Sequence, residues 1–213
     1  MQSHFLDPLY PLTHRPNKAG VSHARLAEYF LQGGSRFFQI RAKNLSDRAL
    51  HRDLLLVSAA CLKHGARFVV NDRPDQGLAA SASGVHLGQD DLPVAAARRV
   101  LGPSAIIGLS THTEEQFLQA LEEDIDYVAI GPIFETATKP GENRPVGCSM
   151  LARLAGKTQL PVVAIGGITL ANVEQVWGAG ATSAAVISDI VGCQDPAGRV
   201  SQYLELAAKV KKD

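Results

Sequence analysis

Residues 67–91 read RFVVNDRPDQGLAASASGVHLGQDD, and the order of residue types in this stretch decides the architecture. The apolar run Phe68-Val69-Val70 ends in Asn71-Asp72. A short helical pattern follows over 75–81, and a second apolar run, Val85-His86-Leu87, ends in Gly88-Gln89-Asp90-Asp91. Two short strands joined by a helix make a parallel βαβ unit. In such a unit both strands finish at the same edge of the sheet, so Asp72 and Asp91 are expected to be neighbours in space.

The pattern repeats on both sides. Phe37-Phe38-Gln39-Ile40 leads into Arg41 and Lys43, and Ile106-Ile107-Gly108-Leu109 into Ser110-Thr111-His112. Val128-Ala129-Ile130 reaches a loop holding Thr136-Ala137-Thr138-Lys139. Val162-Val163-Ala164-Ile165 runs into Gly166-Gly167, Ala185-Val186-Ile187 into Ser188, and residues 9–13 supply a first strand. Helical patterns fill the gaps. Residues 22–32 stop at Gly33-Gly34; Ser46 caps a helix running to about Lys63 and ended by Gly65. Pro93 opens 94–101, and Thr113 with Gln116 forms a capping box for 114–123. Further helices are read over 149–155, 169–179 and 196–209.

About eight strands and about eight helices in strict alternation, with continuous apolar strands covered on both faces, imply a parallel sheet. In 213 residues this suits one (β/α)8 TIM barrel spanning 1–213 better than a doubly wound sheet with a second domain. No linker, repeat or low-complexity tract divides the chain. The longest irregular stretch, 131–146, holds three prolines and two glycines and is expected to close over bound substrate.

Composition excludes several classes. Twenty-one basic and 21 acidic residues cancel, so no bulk field selects nucleic acid or an anionic membrane, and phosphate affinity must be local. No stretch approaches the ~18 apolar residues of a membrane span, and the first residues lack a secretory pattern. Cys61, Cys148 and Cys193 are odd in number and lack Cys-x-x-Cys spacing, which reads as free thiols in a reducing, cytoplasmic setting. Oligomeric state is not legible; a homodimer is an assembly the barrel surface allows.

The strand ends carry the chemistry. Gln39, Arg41 and Lys43 alternate along an extended run, so their side chains are expected on one face as a fork of oxyanion donors; a solvated strand end is the plain alternative. Asp72 and Asp91 facing those cations suit Mg²⁺, which takes one or two carboxylates plus substrate phosphate oxygens. The alternative, helix capping, is open for Asp91 and weaker for Asp72. Gly166-Gly167 and Ile187-Ser188 follow strands seven and eight, where barrels often bind phosphate, although a Gly-Gly pair also serves simple turns. His86 lies inside an apolar strand and reads as a core residue; His112 lies at the rim, touching ligand or ordering the loop. No Ser/His/Asp set, zinc spacing or dinucleotide glycine motif is present.

These blocks, in this order, resemble the thiamine-phosphate synthase family: Gln39-Ile40-Arg41-Ala42-Lys43, Val70-Asn71-Asp72-Arg73, Gly84-Val85-His86-Leu87-Gly88-Gln89-Asp90-Asp91, Gly108-Leu109-Ser110-Thr111-His112, Gly131-Pro132-Ile133-Phe134, Thr136-Ala137-Thr138-Lys139, Ala164-Ile165-Gly166-Gly167-Ile168 and Val186-Ile187-Ser188. The resemblance implies a transferase that joins hydroxymethylpyrimidine pyrophosphate to thiazole phosphate, carboxylated or not, releasing pyrophosphate by dissociative substitution. It implies that Gln39, Ile40, Arg41, Ala42, Lys43, Asn71, Ser110 and Lys139 hold the pyrimidine pyrophosphate, with Arg41, Lys43, Ser110 and Lys139 acting in catalysis. Asp72 and Asp91 would hold Mg²⁺, and Thr136, Ala137, Thr138, Gly167, Ile187 and Ser188 the thiazole phosphate.

Two positions depart from the family pattern: His14 follows Thr13 where an acidic residue is common, and Ala42 replaces an acidic residue between Arg41 and Lys43. Both alter the charge near the pyrimidine end. A thiazole tautomerase-like relative would need neither the carboxylate pair nor the Gln-x-Arg-x-Lys fork. A non-catalytic barrel binding thiamin precursors or phosphate is the alternative from a different class.

Overall fold

The computed structural model describes residues 5–14, 21–136 and 144–210. Eight parallel strands appear: β1 (Leu9–Pro11), β2 (Phe37–Ile40), β3 (Arg67–Asn71), β4 (Gly84–Leu87), β5 (Ile106–Thr111), β6 (Tyr127–Ile130), β7 (Val162–Ile165) and β8 (Ser183–Val186). Each of β2 to β8 pairs with its sequence neighbour, and β8 pairs in parallel with β1. A single bridge, Leu12 to Gln39, and the Thr13 N–H donating to the Gln39 carbonyl at 2.9 Å close the barrel between β1 and β2. The expected (β/α)8 barrel is the fold found.

Helices alternate with the strands: α1 (His23–Gln32), α2 (Asp47–His64), α3 (Pro74–Ala79), α4 (Val94–Leu101), α5 (Glu114–Ala120), α6 (Gly147–Ala155), α7 (Val173–Gly178), α8 (Ser188–Val191) and α9 (Pro196–Val210). Local chemistry sets most of their ends. Ser22 and Ser46 accept from the amides of Arg25 and Ala49, and Gly65 closes α2 in the left-handed conformation (φ 61°) that favours glycine.

The capping box at α5 is modified. Thr113 accepts from the Gln116 amide, but the Gln116 side chain accepts from His112 N–H, one residue earlier than the box predicts. The helix expected over 169–179 begins only at Val173. Asn172 captures the Thr169 amide and donates to the Gly167 carbonyl, and this local network competes with helical bonding. The extra helix, α8, was not expected: β8 ends at Val186, so Ile187 caps that helix and Ser188 opens it.

Strand periodicity separates two cores. Phe38, Ile40, Val70, Val85, Leu87, Ile107, Leu109, Val128, Ile130 and Ala164 point outward beneath the helices. Tyr10, Leu12, Phe37, Val69, Ile106, Tyr127, Ala129, Val163 and Ala185 fill the barrel. The inward positions also hold buried Gln39 and His86, polar side chains that one-dimensional hydropathy averages away. Phe5, Phe37, Tyr10 and Tyr127 make a layer of edge-on and tilted rings with centroids 5.1–6.3 Å apart. Phe37 and Tyr127 are the first residues of their strands, so this layer floors the barrel at the end opposite the strand C-termini. Gly108 makes the arrangement possible: a Cβ there would collide with the Tyr127 ring.

Candidate active site at the C-terminal rim

The carboxylates close β3 and β4, which are hydrogen-bonded neighbours. Asp72 follows β3 directly, with its N–H donating to the His86 carbonyl at 2.9 Å. Its φ of 63° is a left-handed conformation that asparagine and aspartate tolerate better than most residues, at a cost that clusters at functional sites. The two carboxyl groups are in hydrogen-bond contact, and Lys43 Nζ lies 2.5 Å from Asp72 Oδ2. Burial pushes Asp72 up, but hydrogen bonds from Asp91 and Lys43 outweigh it and hold the carboxyl below its ordinary range. Burial and the adjacent Asp72 raise Asp91.

Neither carboxylate caps a helix. The α3 and α4 N-caps are Arg73 and Pro93, without side-chain bonds, and Asp91 accepts from the Gly88 amide at 2.6 Å to brace the Gly88–Asp91 turn. Among the described residues no group of three or more His, Cys, Asp or Glu gathers, so the donor set is this pair of carboxylates. Two carboxylates with remaining positions open fit Mg²⁺ bound jointly with a phosphorylated substrate.

The expected fork of Gln39, Arg41 and Lys43 is not one row. β2 ends at Ile40, so only Gln39 lies on the strand. Gln39 is 1 % exposed and donates from Nε2 to Tyr10 Oη at 2.9 Å. Arg41 is anchored through its amide to Thr13 Oγ1 at 3.0 Å and donates from Nη1 to His14 Nδ1 at 3.3 Å. Lys43 turns away to Asp72. The cations are thus separated by their partners. His14, where the family pattern has an acid, offers Arg41 a neutral acceptor; burial and the guanidinium both lower its pKa. Ile40 packs outward in the helix-side core, and Ala42 lies half-buried against it.

Asn71 ends β3 and pairs in register with His86. Ser110, near the end of β5, accepts or donates at 2.8 Å with His86 Nε2. Its carbonyl is held by Gln89 Nε2 at 2.7 Å, a contact that sequence reasoning missed and that the Gly-Gln-Asp-Asp block could have suggested. His86 is a core residue as expected, stacked on Tyr127 at 5.5 Å, and burial lowers its pKa to about 4. His112 orders the rim by donating from Nδ1 to the Gly131 carbonyl at 2.7 Å.

The second half of the rim is built from backbone. Gly166 and Gly167 both have positive φ (103° and 64°), and a Cβ on either would strike the 132–135 segment. That segment runs alongside through Ile133 N–H to Ile165 O and Phe134 N–H to Gly166 O. The glycine pair is therefore required by close packing of two loops. The base of the long loop is tied by Val146 N–H to Pro132 O (2.8 Å) and Gly147 N–H to Ile133 O (3.2 Å). Thr136 is half-buried beyond this base, Ile187 half-buried and Ser188 exposed at the start of α8. Ala137, Thr138 and Lys139 lie outside the described residues. Asp189, also missed, joins α8 to α9 and the β7 loop. It accepts from Arg199 (2.9 Å), Tyr203 (2.7 Å) and the Leu170 amide (3.3 Å).

The sequence profile of thiamine monophosphate synthases matches residues 9–190. The chain belongs to that family. It is 38 % identical over 207 residues to the thiamine-phosphate synthase of Chloroflexus aurantiacus, covering 97 % of this chain and 95 % of the relative. It is 42 % identical over 193 residues to a thiamine biosynthesis bifunctional protein of Symbiobacterium thermophilum, covering 91 % of this chain and 40 % of that longer protein. Among solved structures, the thiamine phosphate pyrophosphorylase of Pyrococcus furiosus superposes with a TM-score of 0.86 at 31 % identity, covering 95 % of this chain and 96 % of that one. Within this thiamine monophosphate synthase fold, the carboxylate pair and the glycine-built loops occupy the rim where barrel enzymes carry their sites.

Proposed function

We propose that this chain condenses hydroxymethylpyrimidine pyrophosphate with thiazole phosphate, giving thiamine phosphate and pyrophosphate. Family membership supports the overall reaction; the observation that carries the site is the contact of Asp72, Asp91 and Lys43 at the ends of β2 to β4. Asp72 and Asp91 would hold Mg²⁺, which supplies positive charge to a departing pyrophosphate. Lys43, Arg41 and Lys139 would supply further positive charge to the leaving group. These cations stabilise the charge that builds as the carbon–oxygen bond breaks.

Gln39, Asn71 and Ser110 orient the pyrimidine end, while Ile40 and Ala42 would contribute through their backbone, the Ile40 side chain being buried in the helix-side core. Thr136, Ala137, Thr138, Gly167, Ile187 and Ser188 fix the thiazole phosphate so that the ring nitrogen faces the reacting carbon. That nitrogen carries no proton, so no general base is required. The free thiols at Cys61, Cys148 and Cys193 suit a cytoplasmic setting.

Incubation of the purified protein with both phosphorylated substrates, with and without Mg²⁺, tests this reading. Thiamine phosphate and pyrophosphate are expected in equal amounts only with the metal. Absence of product with every divalent cation tried would overturn the assignment.

A further inference from the structure

A chain of buried polar side chains crosses the barrel beneath the rim. Gln39 Nε2 lies 2.9 Å from Tyr10 Oη, which lies 2.8 Å from Tyr127 Oη; Tyr127 Oη lies 2.9 Å from His86 Nδ1, and His86 Nε2 lies 2.8 Å from Ser110 Oγ. Tyr10, Gln39 and Tyr127 are at most 1 % exposed, and His86 is 7 % exposed. The geometry points to a one-way hydrogen-bond relay in which Tyr10, Tyr127 and His86 act as positioning residues that hold the Ser110 hydroxyl as a donor toward the substrate rim. The role of Ser110 in this statement rests on the proposed function.

The direction follows from hydrogen inventory. With the Gln39 amide oriented so that Nε2 faces Tyr10 and the buried Oε1 has no partner among the described residues, Nε2 can only donate, so Tyr10 Oη accepts from it. The Tyr10 hydrogen then has one acceptor among the described contacts, Tyr127 Oη. Were Tyr127 to donate to Tyr10 instead, the Tyr10 hydrogen would be buried without an acceptor, an arrangement proteins avoid. Tyr127 therefore donates onward to His86 Nδ1. That fixes the imidazole as the tautomer protonated on Nε2, because the other nitrogen is already an acceptor. His86 Nε2–H donates to Ser110 Oγ, and the serine hydrogen is left for another acceptor.

Burial favours the neutral form at each stage: both phenols are pushed up and the imidazole down. Of the charged groups nearby, Asp72 faces His86, with Lys43 and Asp91 bound to Asp72. The relay works through hydrogen-bond direction and moves no net charge. Gly108 belongs to the same device, since it admits the Tyr127 ring beside His86 in the β4–β5–β6 register.

The test has one arm that needs no substrate. Long-range ¹H–¹⁵N correlation spectra of the uniformly labelled wild type near neutral pH, with the His86 signals assigned by loss in His86→Gln, report which ring nitrogen carries hydrogen. Nε2–H is expected; Nδ1–H would overturn the relay.

The second arm is a double-mutant cycle. Tyr127→Phe, which keeps the ring and removes the hydrogen, is expected to lower kcat/KM by about ten- to a hundredfold, the scale of residues that orient a ligand. In the Ser110→Ala background the same change is expected to cost almost nothing further, because its effect passes through Ser110. Fully additive losses would overturn it. If Ser110→Ala were as active as wild type, the site reading would fall and the relay would lose its purpose, while the tautomer would still decide its direction.

Discussion

The rim has two halves made of different materials. From β2 to β5 it is built from side chains: Lys43 on Asp72, Asp72 against Asp91, Arg41 on His14, Ser110 on His86. From β6 to β8 the described rim is built from backbone, with Gly166 and Gly167 pressed against the 132–135 segment and α8 opening beside them. The first half suits a group whose charge changes during reaction, because ionised side chains act strongly on developing charge. The second suits a phosphate that only has to be held. Substitutions should therefore separate chemistry from binding along the same boundary.

The largest expected effect is at the carboxylates. Asp72→Ala and Asp91→Ala should each lower kcat by about 10²–10³-fold, the scale of removing a group that stabilises the transition state, with circular dichroism unchanged. Near-normal turnover in both would erase the distinction between the halves. Next, Lys139→Ala should lower kcat by about 10–100-fold and Lys139→Arg by less, since arginine keeps the charge but changes the donor geometry. Steady-state kinetics with both substrates varied would show indifference if Lys139 stands outside the site.

On the backbone side, Gly167→Ala should cost about 1–3 kcal/mol in chemical denaturation, because φ is 64° and the new Cβ would lie 2.7 Å from Phe134 Cβ. It should also raise KM for the thiazole phosphate more than it lowers kcat. A pure kcat defect would place chemistry in the backbone half.

The smallest effect has the opposite sign. Asp72 is held below its ordinary pKa, so its contribution to stability is present above about pH 4 and is lost as pH falls through the lowered value. Asp91 is raised, so its contribution is full below about pH 4 and lost as pH rises through the raised value; at pH 7 its charge costs stability. Asp91→Asn should therefore raise Tm by about 1–3 °C at pH 7, with the gain vanishing near pH 4. A lower Tm at pH 7 would mean that the Asp91–Gly88 bond outweighs carboxylate repulsion.

Much of this was legible in sequence because it is local. Ser46 and Gly65 bound α2 as their cap chemistry dictates, and the strand ends at Asp72, Asp91 and Ser110 fall on one rim because parallel strands share polarity. The misreadings are tertiary. Alternation predicted one face for Gln39, Arg41 and Lys43, but β2 stops at Ile40, where Thr13 on β1's extension captures the Arg41 amide. That the positive φ values of the glycine pair also answer to Pro132, Phe134 and Glu135 from another loop was not legible either. Tyr10 showed nothing in sequence beyond a strand position, and Tyr127 fell just before the expected sixth strand, because their hydroxyl partners lie across the barrel.

The aromatic floor formed by Phe5, Phe37, Tyr10 and Tyr127 turns the barrel into a vessel with one mouth. Whatever reacts at the strand ends must arrive and depart on the same side. Everything that enters or leaves the rim therefore shares one face of the barrel.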